Sequence, residues 1–321
     1  MFTNDKKVLV IGDPIIDLTV YSDVVGHSLE TPTLKAKQIQ PEILTLGGAG
    51  HVVQNLIELH SNTKHICWLS VVGSDRFTDM YLEACRPTSS KLLVLKDRIN
   101  TVKSRYWVKT PGSIIESSYK YLQLNTVCDK PIPAGWKKDI IYTFEAAAIN
   151  YDVILIVDYG NGLFDDTMIE RIVEYGIQNR KQVICTGQRS NWKRSDTKTH
   201  SSFAGASLIV LNEREAYINC KNLKDLPSIF DSNICITLGD RGSKMYMRNG
   251  QEITAEPMID RTKAVDTCGA GDSFLSCLTL CDWESDPYEA QRIANYWSYL
   301  AVQESGVTVP NKSELMEFLN D

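Results

Sequence analysis

The chain has little of what would mark several functional classes. It has no basic excess: 34 Lys and Arg stand against 40 Asp and Glu, a formal charge of -6. Such a balance leaves no electrostatic footprint for nucleic acid or an anionic membrane, so neither is expected as a partner and any phosphate site must be local. It also lacks a Cys-x-x-Cys pair, and its 9 cysteines are odd in number and scattered singly. Cys67, Cys185 and Cys235 sit in apolar runs, and Cys277 and Cys281 lie one helical turn apart. That is the behaviour of small buried hydrophobes rather than of disulfides or metal ligands, and reduced thiols point to the cytoplasm. No apolar stretch nears the roughly 18 residues that span a bilayer. The opening MFTNDKKVLVIGD enters a strand without a signal-peptide pattern. Repeats, low-complexity tracts and a convincing linker are missing as well.

What is present is an ordinary globular composition, 43% hydrophobic and 23% charged over 321 residues, enough for one large domain with an appendage. Short apolar runs at 8–11, 65–72, 153–157, 183–185, 208–211 and 234–238 read as buried strands. Amphipathic, helix-length segments at 52–60, 77–85, 136–149 and 167–178 lie between them, and the last quarter adds helices at 270–281, 288–303 and 313–319. This alternation predicts an α/β fold with a central, mostly parallel sheet and helices on both faces. Two segments, about 18–46 and 97–126, alternate polar and apolar residues without intervening helices. They predict half-buried antiparallel strands outside the main sheet, forming a small β lid on a single domain of residues 1–321.

The sharpest local signal is Asp266-Thr267-Cys268-Gly269-Ala270-Gly271-Asp272, followed by an apolar helical run. Small residues at a helix start leave successive N–H groups open, and the helix dipole makes that end a site for an anion. Asp272, in the first turn, would be close enough to take a proton from a hydroxyl attacking a phosphoryl group held there. The same residues also suit a plain glycine-rich turn with an acidic helix start.

The neighbouring elements decide between the two. The segment resembles the DTxGAGD signature of the ribokinase (PfkB) family of carbohydrate kinases. Asn212-Glu-Arg-Glu215 resembles the family's N-x-x-E element, which organises Mg²⁺ around ATP. Gly12-Asp13 with Asp17, and Gly47-Gly48-Ala49, resemble its sugar-side elements. Thr237-Leu-Gly239-Asp-Arg-Gly242 resembles its nucleotide-side turn, and Asn295 falls where a late helix borders the adenine. The order and spacing agree from about residue 7 to 306. Within the family the chain is most similar to the bacterial heptose 7-phosphate kinase group, on Ser28–Thr33, Thr101-Val-Lys103-Ser-Arg105 and Asp158-Tyr159-Gly160-Asn161-Gly162.

The resemblance implies an ATP-dependent phosphotransferase acting on a sugar or sugar phosphate. Asp272 would be the base, and Gly269, Ala270 and Gly271 would stabilise the transferred group. Asp13, Asp17, Gly47, Gly48, Lys103 and Arg105 would face the acceptor. Asn212, Thr237, Gly239, Gly242, Asp266, Thr267 and Asn295 would face the nucleotide, with Asn212 and Glu215 near Mg²⁺. It further implies a response to K⁺ and a homodimer formed through the lid. The sequence departs from the pattern at His51, at Cys185-Thr-Gly-Gln188, and at Gln123 and Asn125, changes that remove charge near the acceptor.

Blander readings attach to several of these residues. Lys103 and Arg105 are solvated strand charges unless the acceptor bears a phosphate. Asn212 and Glu215 could cap a short helix. His51 is a packed or substrate-shaping residue, since no second ligand accompanies it at metal-site spacing. Gly47-Gly48-Ala49-Gly50 is not G-x-G-x-x-G, so a dinucleotide site is rejected. A kinase for a ketose phosphate or nucleoside, and a non-catalytic sensor on the same fold, are the rival functions; a retained Asp272 favours the enzyme.

Overall fold

The computed structural model describes residues 2–3, 5–109, 118–128, 131–188, 200–257 and 264–320. Along the chain, β1 (Val8–Gly12) is followed by β2 (Pro14–His27), β3 (Leu34–Gln38), β4 (Ile43–Gly48), α1 (Ala49–Leu59), β5 (Ile66–Gly73), α2 (Thr78–Cys85), β6 (Lys91–Leu95), β7 (Thr101–Lys109) and β8 (Ser118–Thr126). Next come α3 (Ala134–Ala148), β9 (Val153–Asp158), α4 (Asp166–Gln178), β10 (Gln182–Gly187), β11 (Leu208–Asn212), α5 (Glu213–Asn219), α6 (Leu226–Phe230) and β12 (Asn233–Thr237). The chain continues with β13 (Ser243–Tyr246), β14 (Glu252–Ala255), α7 (Ala270–Thr279), α8 (Pro287–Ala301) and α9 (Lys312–Asn320).

Nine strands make the main sheet, in the order β14-β13-β12-β11-β10-β9-β1-β5-β6. Every residue of the central β1 is buried, as its unbroken apolar run requires of a strand covered on both faces. It pairs in parallel with β5 and β9, Val8 standing opposite both Ile66 and Val153. Its alternate side chains feed two cores. Val8 and Val10 pack in the cluster containing Val52, Phe274, Trp297 and Leu315, while Leu9 and Ile11 pack with Ile140, Phe144 and Ile169. Helices α1, α7, α8 and α9 therefore cover one face and α3 and α4 the other. The sheet is parallel except at β13, which runs antiparallel to both β12 and β14.

Three strands went unread in the sequence. β6, β13 and β14 are four or five residues long, and β6 and β14 carry exposed positions that interrupt an apolar run.

A second sheet of five strands has the order β3-β2-β7-β8, with β4 also on β2. β2 begins at Pro14, earlier than the alternating pattern indicates, because Pro14-Ile15-Ile16 is buried and apolar throughout. The pairing differs from the antiparallel expectation in one place: β2 and β7 run parallel, from Ile15↔Thr101 to Asp23↔Lys109. The reason is topological. β2 continues from β1 and β7 follows β6, two strands that point the same way, so both leave the main sheet in one direction. Residues 110–117 of the second expected segment lie outside the described residues.

A single residue, Asp13, separates the two sheets. Its N–H donates to Val157 O at 3.1 Å, and its carbonyl accepts from Ala49 N at 3.1 Å. The return strand β4 thus delivers the start of α1 to the same point.

Candidate active site

The site forms at the carboxyl ends of the parallel strands, where β1, β9, β11 and β12 stop and α7 begins. Gly269 takes the left-handed conformation, φ 81°, at the N-cap of α7. A Cβ there would stand 2.8 Å from Nε2 of His51, so the turn tolerates no side chain. At Gly271 a Cβ would meet nothing within 4 Å, which leaves that position open to the cavity in front of it. The Ala270 N–H turns back to Thr267 O at 3.4 Å, so Gly269 and Gly271 present the freer donors of the trio.

Asp272 is buried in the first turn of α7. Its Oδ1 accepts from the hydroxyl of Tyr159 at 2.6 Å. Burial pushes the carboxyl up to about 7; the Tyr159 hydrogen bond and the Lys103 ammonium act against that, and the charge of Asp17 adds to it. A carboxylate titrating there is matched to base catalysis near neutral pH. Tyr159 follows β9. Its N–H donates to Asp13 Oδ2 at 2.8 Å, and the Lys103 ammonium lies 4.9 Å from its ring centroid.

A cavity of about 570 Å³ opens over this group, lined among others by Asp17, Gly48, Lys103, Arg105, Asn212, Thr237, Thr267, Gly269, Gly271 and Asp272. Contrary to the solvated reading, Arg105 is buried and Lys103 half-buried. The Arg105 guanidinium is bound to the Asp17 carboxylate, both nearly closed to solvent. Burial lowers the Lys103 ammonium, with Asp17 and Asp272 opposing. Gly47 lies behind Asp17: a Cβ at Gly47 would sit 2.0 Å from its Oδ2. Gln123 and Asn125, on β8, line the same cavity.

Asp13 does not reach this cavity. It is fully buried, its Oδ2 accepts from the N–H groups of Tyr159 and Asn161, and its Oδ1 has no partner among the described residues. Burial and the neighbouring Asp158 hold its carboxyl above the usual range.

A second cavity, of about 360 Å³ and largely apolar, is lined by Gly239, Gly242, Pro257, Thr267, Ala270, Asn295 and Tyr299 among others. Thr267 belongs to both cavities. Asp266 lies apart from them: its two oxygens accept from Cys268 N and Gly306 N, each at 3.1 Å, so it braces the loop.

Asn212 and Glu215 form a reciprocal capping box at the start of α5, Asn212 N to Glu215 Oε2 and Glu215 N to Asn212 Oδ1, both 2.9 Å. Glu215 also lines a small cavity of about 60 Å³ with Asp272, Gln188 and Thr237. Burial raises its carboxyl to about 7, against the Asn212 hydrogen bonds and helped by Asp272. Among the described residues no three His, Cys, Asp or Glu groups form a metal cage. What the pair offers an ion is one carboxylate and one amide oxygen, each already accepting a backbone N–H.

His51 is fully buried beneath α7, within 3.1 Å of Asn55 Nδ2 and 3.3 Å of Ser273 Oγ. Burial lowers it to about 4, so it is neutral. It is a packed residue. Tyr159 is the site residue that sequence reasoning passed over. Its position just after a central strand, where open α/β sheets bind ligands, was the available signal.

Residues 164–314 match the family described as pfkB family carbohydrate kinase. The bifunctional protein HldE of Helicobacter hepaticus is 27% identical over 99% of this chain and 64% of its own length. That of Campylobacter fetus is 31% identical over 86% of this chain and 58% of its own length. The chain thus spans about three-fifths of these relatives. The structure of Arabidopsis thaliana ribokinase complexed with ribose and ATP superposes with a TM-score of 0.68 at 14% identity, covering 98% of this chain and 99% of that one. The fold is ribokinase-like. No described helix is long and apolar enough to cross a membrane.

Proposed function

We propose that this chain, a member of the pfkB carbohydrate kinases through residues 164–314, transfers the γ-phosphoryl group of ATP to a hydroxyl of a sugar phosphate of the heptose 7-phosphate class. The observation that carries the proposal is the position of Asp272. It is a buried carboxylate at a helix N-terminus, on a polar cavity that shares Thr267 with an apolar one.

The acceptor occupies the polar cavity with a hydroxyl at Asp272, and the nucleotide base occupies the apolar cavity beside Gly239, Gly242 and Asn295. Asp272 takes the hydroxyl proton as the new O–P bond forms and the bond to the departing ADP breaks. The N–H groups of Gly269 and Gly271, reinforced by the α7 dipole, hold the charge on the transferred group. Lys103 binds the phosphate the acceptor already carries. Mg²⁺ on the ATP phosphates would supply charge neutralisation, with Asn212 and Glu215 orienting its water shell. K⁺ near the Asp266–Asp272 loop, a lid role for the second sheet, a homodimer formed through that sheet, and cytoplasmic residence complete the reading. The last is supported by nine cysteines that are all free.

The test is ADP release measured over a panel of free sugars and sugar phosphates, heptose 7-phosphate included. Turnover should require both Mg²⁺ and a phosphorylated sugar. Equal turnover of free sugars would remove the heptose phosphate assignment, and release that persists in excess EDTA would remove the mechanism.

A further inference from the structure

We infer that Tyr159 is the positioning residue for Asp272, holding Oδ1 with its hydroxyl so that Oδ2 is the oxygen presented to the acceptor hydroxyl. The inference rests on the kinase reading and deepens it.

Three observations place Tyr159 in that role. Its hydroxyl donates to Asp272 Oδ1 at 2.6 Å, the short distance of a bond to a charged oxygen. Its backbone is fixed independently, by the 2.8 Å bond from its N–H to Asp13 Oδ2. Its ring lies under the Lys103 ammonium, and it lines both the 570 Å³ and the 60 Å³ cavities. The groups around Asp272 divide by sign. Asp17 from β2 disfavours its charge, whereas the Tyr159 hydroxyl and Lys103 from β7 favour it; Glu215 from α5 lines the 60 Å³ cavity with it, and His51, below α7, is neutral. Tyr159 itself stays protonated, because burial first and Asp272 second drive its phenol well above its ordinary range. It therefore keeps its proton throughout turnover, and the acceptor's proton passes to Oδ2 of Asp272 alone.

Tyr159→Phe removes the hydroxyl while leaving the ring and the bond to Asp13 in place. The Asp272 carboxyl should then titrate about one unit higher, so that kcat at pH 7 falls about fivefold and recovers by pH 9, with the acceptor KM little changed. A structural role alone would lower kcat equally at every pH. The titration is read directly in the ligand-free protein from the carboxyl ¹³C resonance assigned by its loss in Asp272→Asn. That readout needs no turnover, so a failure of the kinase reading, seen as no acceptor turned over, is told apart from a failure of the Tyr159–Asp272 relation itself. An Asp272 titration that does not move in Tyr159→Phe overturns the inference. Should that variant not fold, difluorotyrosine at position 159, a more acidic phenol, must move Asp272 downward instead; no movement again overturns it.

Discussion

The guanidinium of Arg105 is bound to the carboxylate of Asp17 across the parallel pair of β2 and β7. Two residues earlier on the same strand, Lys103 faces the cavity with an aromatic ring beside it and, among the described residues, no ion-pair partner. The two cations therefore do different work. Lys103→Ala should raise the KM for a phosphorylated acceptor about 10–100-fold, the worth of one charge-assisted hydrogen bond, and leave the ATP KM unchanged. Steady-state kinetics with each substrate varied would check this, and equal effects on both would refute it.

Arg105→Ala should act mainly on stability. It leaves Asp17 buried and unpaired, a loss on the order of 3–5 kcal/mol that denaturant unfolding would report. Loss of activity without loss of stability would instead make Arg105 an acceptor ligand.

Asp272→Asn should lower kcat about 10²–10⁴-fold, because the amide cannot take a proton. Nucleotide affinity, followed by calorimetry, should hold or tighten. The same substitution should make the protein more stable at alkaline pH. Asp272 titrates at about 7 when folded against 3.8 in the free residue, so ionising it opposes folding once the pH rises through that interval. The sign follows from linkage: between those values the folded chain binds more protons, and stability falls as pH rises. The gain in Asp272→Asn should be a few kcal/mol at most at pH 8 and smaller at pH 5, seen as a rise in Tm that grows from the acid to the alkaline scan.

Wild-type kcat should itself lose activity as pH falls through about 7, following ionisation of Asp272. A profile flat from pH 5 to 8 would mean that the base is another group.

Glu215→Gln keeps the capping box, since an amide oxygen can also accept from Asn212 N, and removes only the charge. Unfolding should change little at pH 5 and, by the linkage argued for Asp272, become harder above pH 7, while the Mg²⁺ concentration for half-maximal activity should rise several-fold and high Mg²⁺ should restore part of the rate. Unchanged Mg²⁺ dependence would reduce Glu215 to its cap.

Much of this was legible before any coordinates. Apolar runs of four or five residues with no polar alternation suit burial on both faces, which identified β1, β9 and β11 and with them a parallel sheet. The glycine-rich start of α7 was equally legible, because its spacing alone dictates an open helix end. What escaped were relations between distant residues. The sequence of β7 alternates as a solvated strand would, yet Lys103 and Arg105 point into a cavity whose far wall is α7. Nothing local to Asp17 announces Arg105, eighty-eight residues away. The resemblance places Asp13 with Asp17 at the acceptor; that its carboxylate turns inward to hold the Tyr159 backbone depends on the end of β9, which the local pattern does not contain.

The one-residue joint at Asp13 makes the molecule's two layers mechanically inseparable at a single point. The backbone torsions of Asp13 aim β2, and through it the whole second sheet. Its carbonyl anchors the start of α1, and its carboxylate anchors the residue that grips Asp272. The strand that carries Asp17 and the residue that holds Asp272 share that one anchor, so a substitution at Asp13 should disturb two walls of the polar cavity at once.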